Sequence, residues 1–144
     1  RLMGELVKRN PEKIVALRFH AYNKEKLPPF EKPELRILWK AASELGLNIQ
    51  LHFEPRYAAG FEPLIKEFSK TKVIIDHMGR PFDGSIEENK RVLEWIKFEN
   101  TIMKVSSLPD PKMFPDRDAG KVIKDLVNRF TPNVLKYYPT LNTV

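Results

Sequence analysis

Four short apolar runs with strand character are separated by segments in which apolar residues recur at helical spacing. The strand-like runs are residues 13–19, 48–53, 72–76 and 101–106. Strands that alternate with helices in this way favour right-handed βαβ units and therefore a parallel sheet. Two architectures satisfy the pattern, an open doubly wound sheet and part of a closed (β/α)8 TIM barrel. A complete barrel takes about 250 residues, so this chain would hold about half of one, roughly four to five βα units.

The helical segments are recognised by apolar residues at offsets of three, four and seven. Leu38 to Leu45 has this spacing and is followed by Gly46, a residue type that commonly ends helices. Ser85 and Glu88 have the spacing of a capping box, which predicts the start of another helix. The remaining apolar stripes are Leu2, Leu6 and Val7; Phe61, Leu64, Ile65 and Phe68; Ile86, Val92, Leu93 and Ile96; and Val122, Ile123, Leu126, Val127 and Phe130, with Asp116 or Asp118 as its cap.

Composition and charge narrow the class of protein. The chain is 42% hydrophobic and 31% charged, as is usual for a globular domain. No apolar run reaches the length of about 18 residues that a membrane span needs. The lack of cysteine excludes disulfides and thiolate metal sites and suits a cytoplasmic protein. The net charge is +6, but the basic residues are scattered among acidic ones. We therefore expect a small anionic substrate as partner, rather than nucleic acid or a membrane.

The histidines stand at or near the ends of predicted strands. They are His20, His52 and His77. The carboxyl ends of parallel strands meet at one edge of a sheet, where ligand sites collect in α/β folds. Lys104 and Ser106 stand at the equivalent level of the fourth strand, and long proline-rich loops follow the first and fourth strands at 21–33 and 107–118. The sequence therefore predicts that these side chains cluster.

Positive charges are predicted at the same edge. They belong to Arg18, Arg56, Arg80 and Lys104. Arg18 precedes His20 by two residues, so the two side chains share a face of the strand. Such cations can bind a substrate carboxylate or stabilise a developing oxyanion. They can equally form ion pairs with Glu54, Asp76 and Asp110, and the sequence leaves both alternatives open.

The segment IIDHMGRP, residues 74–81, resembles the D-H-x-G-x-P stretch of the amidohydrolase-2 family, the lactonase-like branch of the amidohydrolase superfamily. Other segments resemble the family in the expected order. They are VALRFH (15–20), ASELGLNIQLH (42–52) and NTIMKVSSL (100–108). Residues 134–144 match nothing in the family. We therefore expect a family domain over residues 1–133 and a divergent tail over 134–144.

The resemblance implies a (β/α)8 barrel hydrolase that acts on lactones or other carboxylate-bearing cyclic esters and amides. His77 corresponds to the histidine that ligates a divalent metal or polarises the scissile carbonyl, and Arg80 beside it is a second candidate catalytic residue. Arg18 corresponds to an arginine that contacts the substrate carboxylate. His52 is a second candidate metal ligand. The further substrate-binding candidates are His52, Lys104 and Ser106. Zinc or manganese is the implied metal, and metal-independent hydrolysis is equally compatible with the resemblance.

Two features of the family are missing from this sequence. It has no H-x-H pair for a first strand, and no aspartate follows Asp125 to activate water from a last strand. We therefore expect a partial chain with little activity of its own, which self-associates through exposed barrel edges. Two other classes stay open. One is a small α/β module that binds an anionic ligand without catalysis. The other is a basic protein that binds nucleic acid with a steep salt dependence.

Overall fold

The computed structural model describes residues 2–22, 27–108, 110, 112 and 115–129, and the backbone of 135–137. Its strands form one sheet in which every neighbouring pair is parallel. The strands are β1 (Ala16–Ala21), β2 (Asn48–Phe53), β3 (Val73–Ile75), β4 (Thr101–Val105) and β5 (Leu135–Tyr137). The four predicted strands are therefore confirmed, with β1 displaced towards His20. The sequence did not predict β5, which lies in the range assigned to the tail.

Helices alternate with the strands, as predicted. They are α1 (Leu2–Arg9), α2 (Pro33–Glu44), α3 (Ala58–Glu67), α4 (Ile86–Leu93) and α5 (Ala119–Arg129). The capping box before α4 is present, because the Glu88 amide donates to Ser85 Oγ and the Ser85 amide donates to Glu88 Oε2. Asp118 rather than Asp116 caps α5, since its Oδ1 accepts from the Lys121 amide at 2.9 Å. In the described part of the chain, no helix has the length and apolar character that crossing a membrane requires.

The order of the strands decides between the two predicted architectures. Each strand lies beside the one that follows it in the chain, from β1 through β5, without a reversal. A doubly wound sheet reverses its order at a switch point, whereas a barrel adds its strands in one direction. The sheet is therefore a segment of a (β/α)8 barrel. Within the described residues, β1 pairs with β2 alone, so its other edge has no strand beside it.

The alternation of side chains gives the sheet two unlike faces. On β2, Ile49, Leu51 and Phe53 are fully buried. Gln50 and His52 alternate with them, so they point to the opposite face and remain half-buried. In a barrel the helices cover the outer face of the strands. The apolar residues of β2 therefore face the helices, and the polar residues face the interior of the barrel.

Phe61 of α3 occupies the centre of the core between sheet and helices. Four aromatic rings lie within 5.0–6.2 Å of its ring, centroid to centroid. They belong to Phe19, Phe30, Trp39 and Phe53. Aromatic side chains bury large areas and favour tilted contacts of this kind. The cluster fixes α2 and α3 to the outer face of β1 and β2, which holds the strand ends in place.

Four predicted apolar stripes are only partly correct, because Leu2 and Leu6 of α1, Leu38 of α2 and one residue each of α4 and α5 are exposed. Ile86 is 82% exposed, and α4 instead buries Val92. On α5, Val127 is 52% exposed while Leu126 is buried. Both helices are amphipathic and cover the sheet with a narrow face, so apolar residues beside that face stay in contact with water. Phe130, which was assigned to the same stripe as Val127, lies outside the described residues.

Candidate functional site

The three histidines meet at the carboxyl ends of the first three strands. His20 and His52 are register partners on β1 and β2, and their ring centroids lie 4.5 Å apart. The ring of His77, which follows β3, lies 5.0 Å from that of His52. The structure thus brings together the residues that the sequence placed at one sheet edge.

An unusual backbone turn presents His77 and Arg80 to this cluster. His77, Met78, Gly79 and Arg80 have φ values of 53°, 59°, 68° and 56°, so four consecutive residues are left-handed. The Arg80 amide donates to the His77 carbonyl at 2.8 Å and closes the turn. Left-handed conformations cost non-glycine residues about 1–2 kcal/mol each and persist at functional sites where the surroundings enforce them. The turn directs the side chains of His77 and Arg80 towards His52.

Gly79 is required by space as well as by conformation. A Cβ at this position would lie 2.6 Å from Cγ1 of the buried Val92, in addition to the strain of φ +68°. We expect Gly79→Ala to lower the free energy of unfolding by about 2–4 kcal/mol, from left-handed strain and overpacking together. Gly46→Ala is the matched control, because Gly46 has φ +69° and no atom within 4 Å of the added Cβ. Urea unfolding of both variants measures the difference, and equal losses would contradict the proposed clash.

Asp76 is the hub of a buried polar network on the inner face of the sheet. Gln50 Nε2 donates to both carboxylate oxygens at 2.9 Å, and Arg18 donates to Oδ2 from Nε at 3.2 Å and Nη2 at 2.9 Å. Lys104 Nζ lies 3.3 Å from Oδ1. Burial raises the pKa of Asp76, but the Gln50 hydrogen bonds and the charges of Lys104 and Arg18 outweigh it and hold the pKa below its usual range. Asp76 is therefore an ionised, fully engaged carboxylate.

His77 is a neutral imidazole in a positively charged setting. Burial lowers its pKa; the charge of Asp76 opposes this, and Lys104 and Arg80 lower the pKa further. Its Nδ1 lies 2.9 Å from Oγ of Ser106, which follows β4. A neutral imidazole fixed by a hydroxyl group can offer or accept one proton at a defined position.

Arg80 is held in place by three side chains. Its Nε donates to Asp83 Oδ2 at 2.5 Å, and its Nη1 lies 3.4 Å from Nε2 of His52. The guanidinium carbon lies 4.0 Å from the centroid of the Tyr22 ring, and that ring stacks on His52 at 5.5 Å. Stacking on an aromatic face and a carboxylate contact orient the planar guanidinium group. Its positive charge is therefore fixed at the mouth of the site.

A cavity of about 460 Å³ opens beside these residues. Its lining includes Tyr22, His77, Arg80, Ser107 and Arg117. Small-molecule sites typically have about 300–1,000 Å³. Asp83 and Asp110 line it too, and Asp83 pairs with both arginines, so the wall carries both signs of charge. The cavity therefore suits a small polar molecule with a group that a guanidinium can bind.

Some of the predicted cations are engaged elsewhere. Arg56 forms an ion pair with Glu54 and lines a separate cleft towards α4, so it does not join the cluster. Arg18 and Lys104 face the site but pair with Asp76, which is the second of the two alternatives that the sequence left open.

Sequence reasoning missed several residues of the site, of which Asp83 and Arg117 lie away from the predicted strands. Gln50 contributes to the Asp76 network, and Tyr22 stacks between His52 and Arg80. Gln50 stands two positions before His52, and Tyr22 two positions after His20. Because side chains two residues apart share a strand face, the same rule that paired Arg18 with His20 would have found both.

The side chains at this edge do not form a metal site by themselves. Both ring nitrogens of His52 have neighbours, Arg80 at Nε2 and His20 at Nδ1, and Nδ1 of His77 lies against Ser106. A divalent metal needs several donors that converge on one point. In the described part of the chain, no group of three or more histidine, aspartate or glutamate side chains is arranged in this way. The predicted metal ligands His52 and His77 therefore do not fit a metal with the donors present here.

Comparison with known proteins gives matches of two kinds. Residues 11–135 match the family model described as amidohydrolase. A probable 2-pyrone-4,6-dicarboxylic acid hydrolase from Acinetobacter baumannii, solved with citric acid, is 23% identical, and the match covers 96% of this chain and 53% of that chain with a TM-score of 0.68. An amidohydrolase from Burkholderia multivorans with bound zinc is 11% identical, with coverages of 98% and 54% and a TM-score of 0.75. Comparison with curated proteins gives no match.

A further solved structure, amidohydrolase 2 from Bifidobacterium longum subsp. infantis, is 19% identical, with coverages of 94% and 58% and a TM-score of 0.60. The chain thus spans a little over half the length of the solved structures that it matches. These likenesses show the fold, a partial (β/α)8 TIM barrel. Because the family match extends over most of the sequence, the chain belongs to the amidohydrolase family.

Proposed function

We propose that this amidohydrolase-family chain supplies part of the active site of a hydrolase that opens a lactone or another carboxylate-bearing cyclic ester or amide. The observation that carries the proposal is the placement of neutral His77 beside Arg80 in the wall of the cavity. Both side chains are fixed by further contacts, Ser106 for His77 and Asp83 for Arg80. Fixed donors of this kind favour negative charge that develops on a carbonyl oxygen.

The reaction is the addition of water to the carbonyl carbon. The carbonyl oxygen becomes an oxyanion. The ring C–O or C–N bond then breaks as the base returns the proton of the water to the leaving oxygen or nitrogen, and the product carries a new carboxylate beside the freed hydroxyl or amine. His77 and Arg80 would stabilise the oxyanion through hydrogen bonds and charge. The proton of the water needs a base, and Asp76 does not suit this role because its oxygens already accept four hydrogen bonds. We propose that the base lies on another strand of a longer chain.

The two arginines at the cavity support a substrate that carries a carboxylate, which would compete there with Asp83 and Asp110. Arg80 and Arg117 both line it, and Arg117 also lies 5.7 Å from the ring of Phe82. Guanidinium groups bind carboxylates in bidentate geometry. The relative from Acinetobacter baumannii is a probable hydrolase of a pyrone dicarboxylic acid and was solved with citric acid, so a polycarboxylate fits that protein as well. The absence of cysteine supports a cytoplasmic location as part of the same proposal.

The test compares the 144-residue chain with the same chain extended at both ends by its flanking coding sequence. We expect the extended protein to hydrolyse carboxylate-bearing lactones and the 144-residue chain to be at least about 100-fold slower, since loss of a general base commonly costs 10²–10⁴ in rate. A lactone of the same ring without the carboxylate is the matched substrate control, and we expect it to react more slowly.

Two results would contradict the proposal. Equal rates for the two proteins would show that the 144 residues already hold a complete site. Binding of the carboxylate-bearing lactone to the extended protein, with no hydrolysis under any metal condition, would favour a binding module without catalysis. The Arg36→Ala variant serves as the protein control, because Arg36 pairs with Glu67 on the outer surface, away from the cavity.

A further inference from the structure

His52 has a hydrogen-bonding neighbour at each of its ring nitrogens. Nε2 lies 3.4 Å from Nη1 of Arg80, and Nδ1 lies 3.1 Å from Nδ1 of His20. The ring orientation is fixed by stacking, because the planes of Tyr22 and His52 differ by only 11°. Arg80 is fixed in turn by Asp83 and by the face of Tyr22. Contacts therefore run in order from Arg80 through His52 to His20, and Tyr22 and Asp83 hold the first two in place.

The chemistry of these groups sets the direction of the hydrogen bonds. A guanidinium group has donors only, so Nε2 of His52 must be the acceptor. An imidazole whose Nε2 accepts a hydrogen bond is neutral and carries its one proton on the other nitrogen. That proton is then on Nδ1, where it is donated to His20. Nδ1 of His20 must accept it, which leaves the proton of a neutral His20 on Nε2.

The opposite direction is disfavoured by a clash of donors. A proton on Nε2 of His52 would face the N–H groups of Arg80 at 3.4 Å. Arg80 could avoid it only by moving away, and the movement would break its contact with Asp83 and its stacking on Tyr22. When Nε2 of His52 accepts a hydrogen bond from Arg80, no two donors face each other and Arg80 keeps its contacts with Asp83 and Tyr22.

We infer that Arg80 is a positioning residue that fixes His52 as the Nδ1–H tautomer and, through His52, fixes His20 as the Nε2–H tautomer. Nε2 of His20 is then a hydrogen-bond donor and not a lone pair. A donor favours negative charge on a bound molecule, and a lone pair would repel it. The tautomers stand on the contacts alone, whereas their use in the reaction rests on the proposed function.

The experiment is nitrogen-15 NMR of the 144-residue chain at pH 7, with labelled histidine. Long-range correlations in each imidazole distinguish the protonated nitrogen from the unprotonated one, and single His→Gln variants assign the three rings. In the unmodified protein we expect the proton of His52 on Nδ1 and that of His20 on Nε2. Arg80→Ala should shift His52 towards the Nε2–H form. Arg80→Lys should restore the original pattern, because an ammonium group also has donors only.

Arg36→Ala is the matched control, since Arg36 lies on the outer surface. It should leave the position of the proton unchanged in all three histidine rings. A proton on Nε2 of His52 in the unmodified protein would overturn the inference without any variant. An unchanged pattern in a folded Arg80→Ala protein would overturn it too. If that variant does not fold, Asp83→Asn takes its place, because it releases Arg80 and should shift His52 in the same direction. No substrate is involved, so a failure of lactone hydrolysis would count against the proposed function and not against the tautomers.

Discussion

Replacement of Asp76 by alanine is expected to lower the free energy of unfolding by about 3 kcal/mol, the lower end of the range for breaking a buried ion pair. The Asp76 side chain has no exposed surface, and it is shared by Arg18, Gln50 and Lys104. Without the carboxylate, two positive charges and a carboxamide would lie side by side on the inner face of the sheet. The estimate is at the lower end because Arg18 is 46% exposed and water can solvate part of its charge.

Urea unfolding at pH 7 measures this effect. Glu67→Ala is the matched control, because Glu67 also accepts hydrogen bonds from Nε and Nη2 of an arginine, Arg36, but does so on the exposed surface. Exposed pairs contribute little to stability, so its unfolding midpoint should barely move. Asp76→Asn keeps the shape of the side chain and one acceptor oxygen. Its loss of stability should therefore lie between those of Asp76→Ala and Glu67→Ala. A Glu67 variant as unstable as Asp76→Ala would show that burial of the carboxylate is not the cause.

Acid unfolding provides a second measurement of the same interaction. The pKa of Asp76 in the folded protein lies below its usual value, which is about 3.9 in an unfolded chain. The stabilisation is therefore fully present above pH 4 or so and is lost as the pH falls towards the lower pKa of the folded state. The unmodified protein should lose stability in this window more steeply than Asp76→Ala does. If the stability of the unmodified protein and that of Asp76→Ala changed with pH in the same way, Asp76 would have the same pKa in the folded and the unfolded state.

Under the proposed function, replacement of His77 by asparagine is expected to lower kcat of the extended protein by about 10²–10³, the usual loss when an oxyanion donor is removed. Asparagine is chosen because it tolerates the left-handed backbone that His77 adopts at φ 53°. The turn should therefore persist while the imidazole is lost. Steady-state kinetics with a carboxylate-bearing lactone measures the effect, and backbone amide spectra check that the fold is unchanged.

Ser106→Ala is the graded comparison for this variant. It removes the hydroxyl group 2.9 Å from Nδ1 of His77 but leaves the imidazole in place. Loss of one hydrogen bond is worth about 1 kcal/mol, which corresponds to a roughly fivefold to tenfold lower rate. His77→Asn should therefore be the more damaging of the two by at least an order of magnitude. If His77→Asn retained the kcat of the unmodified protein, His77 would have no role in the chemical step.

Strand ends were the part of this fold that the sequence predicted best. Continuous β-branched runs such as Val73 to Ile75 are typical of strands covered by helices, and parallel pairing places their carboxyl ends together. That single rule brought His20, His52 and His77 to one place. The choice between a barrel and an open sheet needed the strand order, because both architectures have the same local pattern.

Features that depend on packing between distant segments were not visible in the sequence. The left-handed turn at 77–80 contains one glycine, and Met78 and Arg80 are not residue types that favour positive φ. The pairing of Arg18 with Asp76 depends on β2 lying between β1 and β3, with Gln50 at the level of Arg18. The exposure of Ile86 likewise follows from how α4 is rotated against the sheet.

The sharing of one carboxylate among three strands also limits how this sequence can evolve. Positions 18, 50 and 104 are far apart in the chain, yet each places a donor or a positive charge on Asp76. A change at position 76 to an uncharged residue would leave unneutralised cations, so it becomes tolerable only when Arg18 or Lys104 is exchanged as well. Natural variants of this protein should therefore exchange these residues as a group, in correlated rather than independent steps.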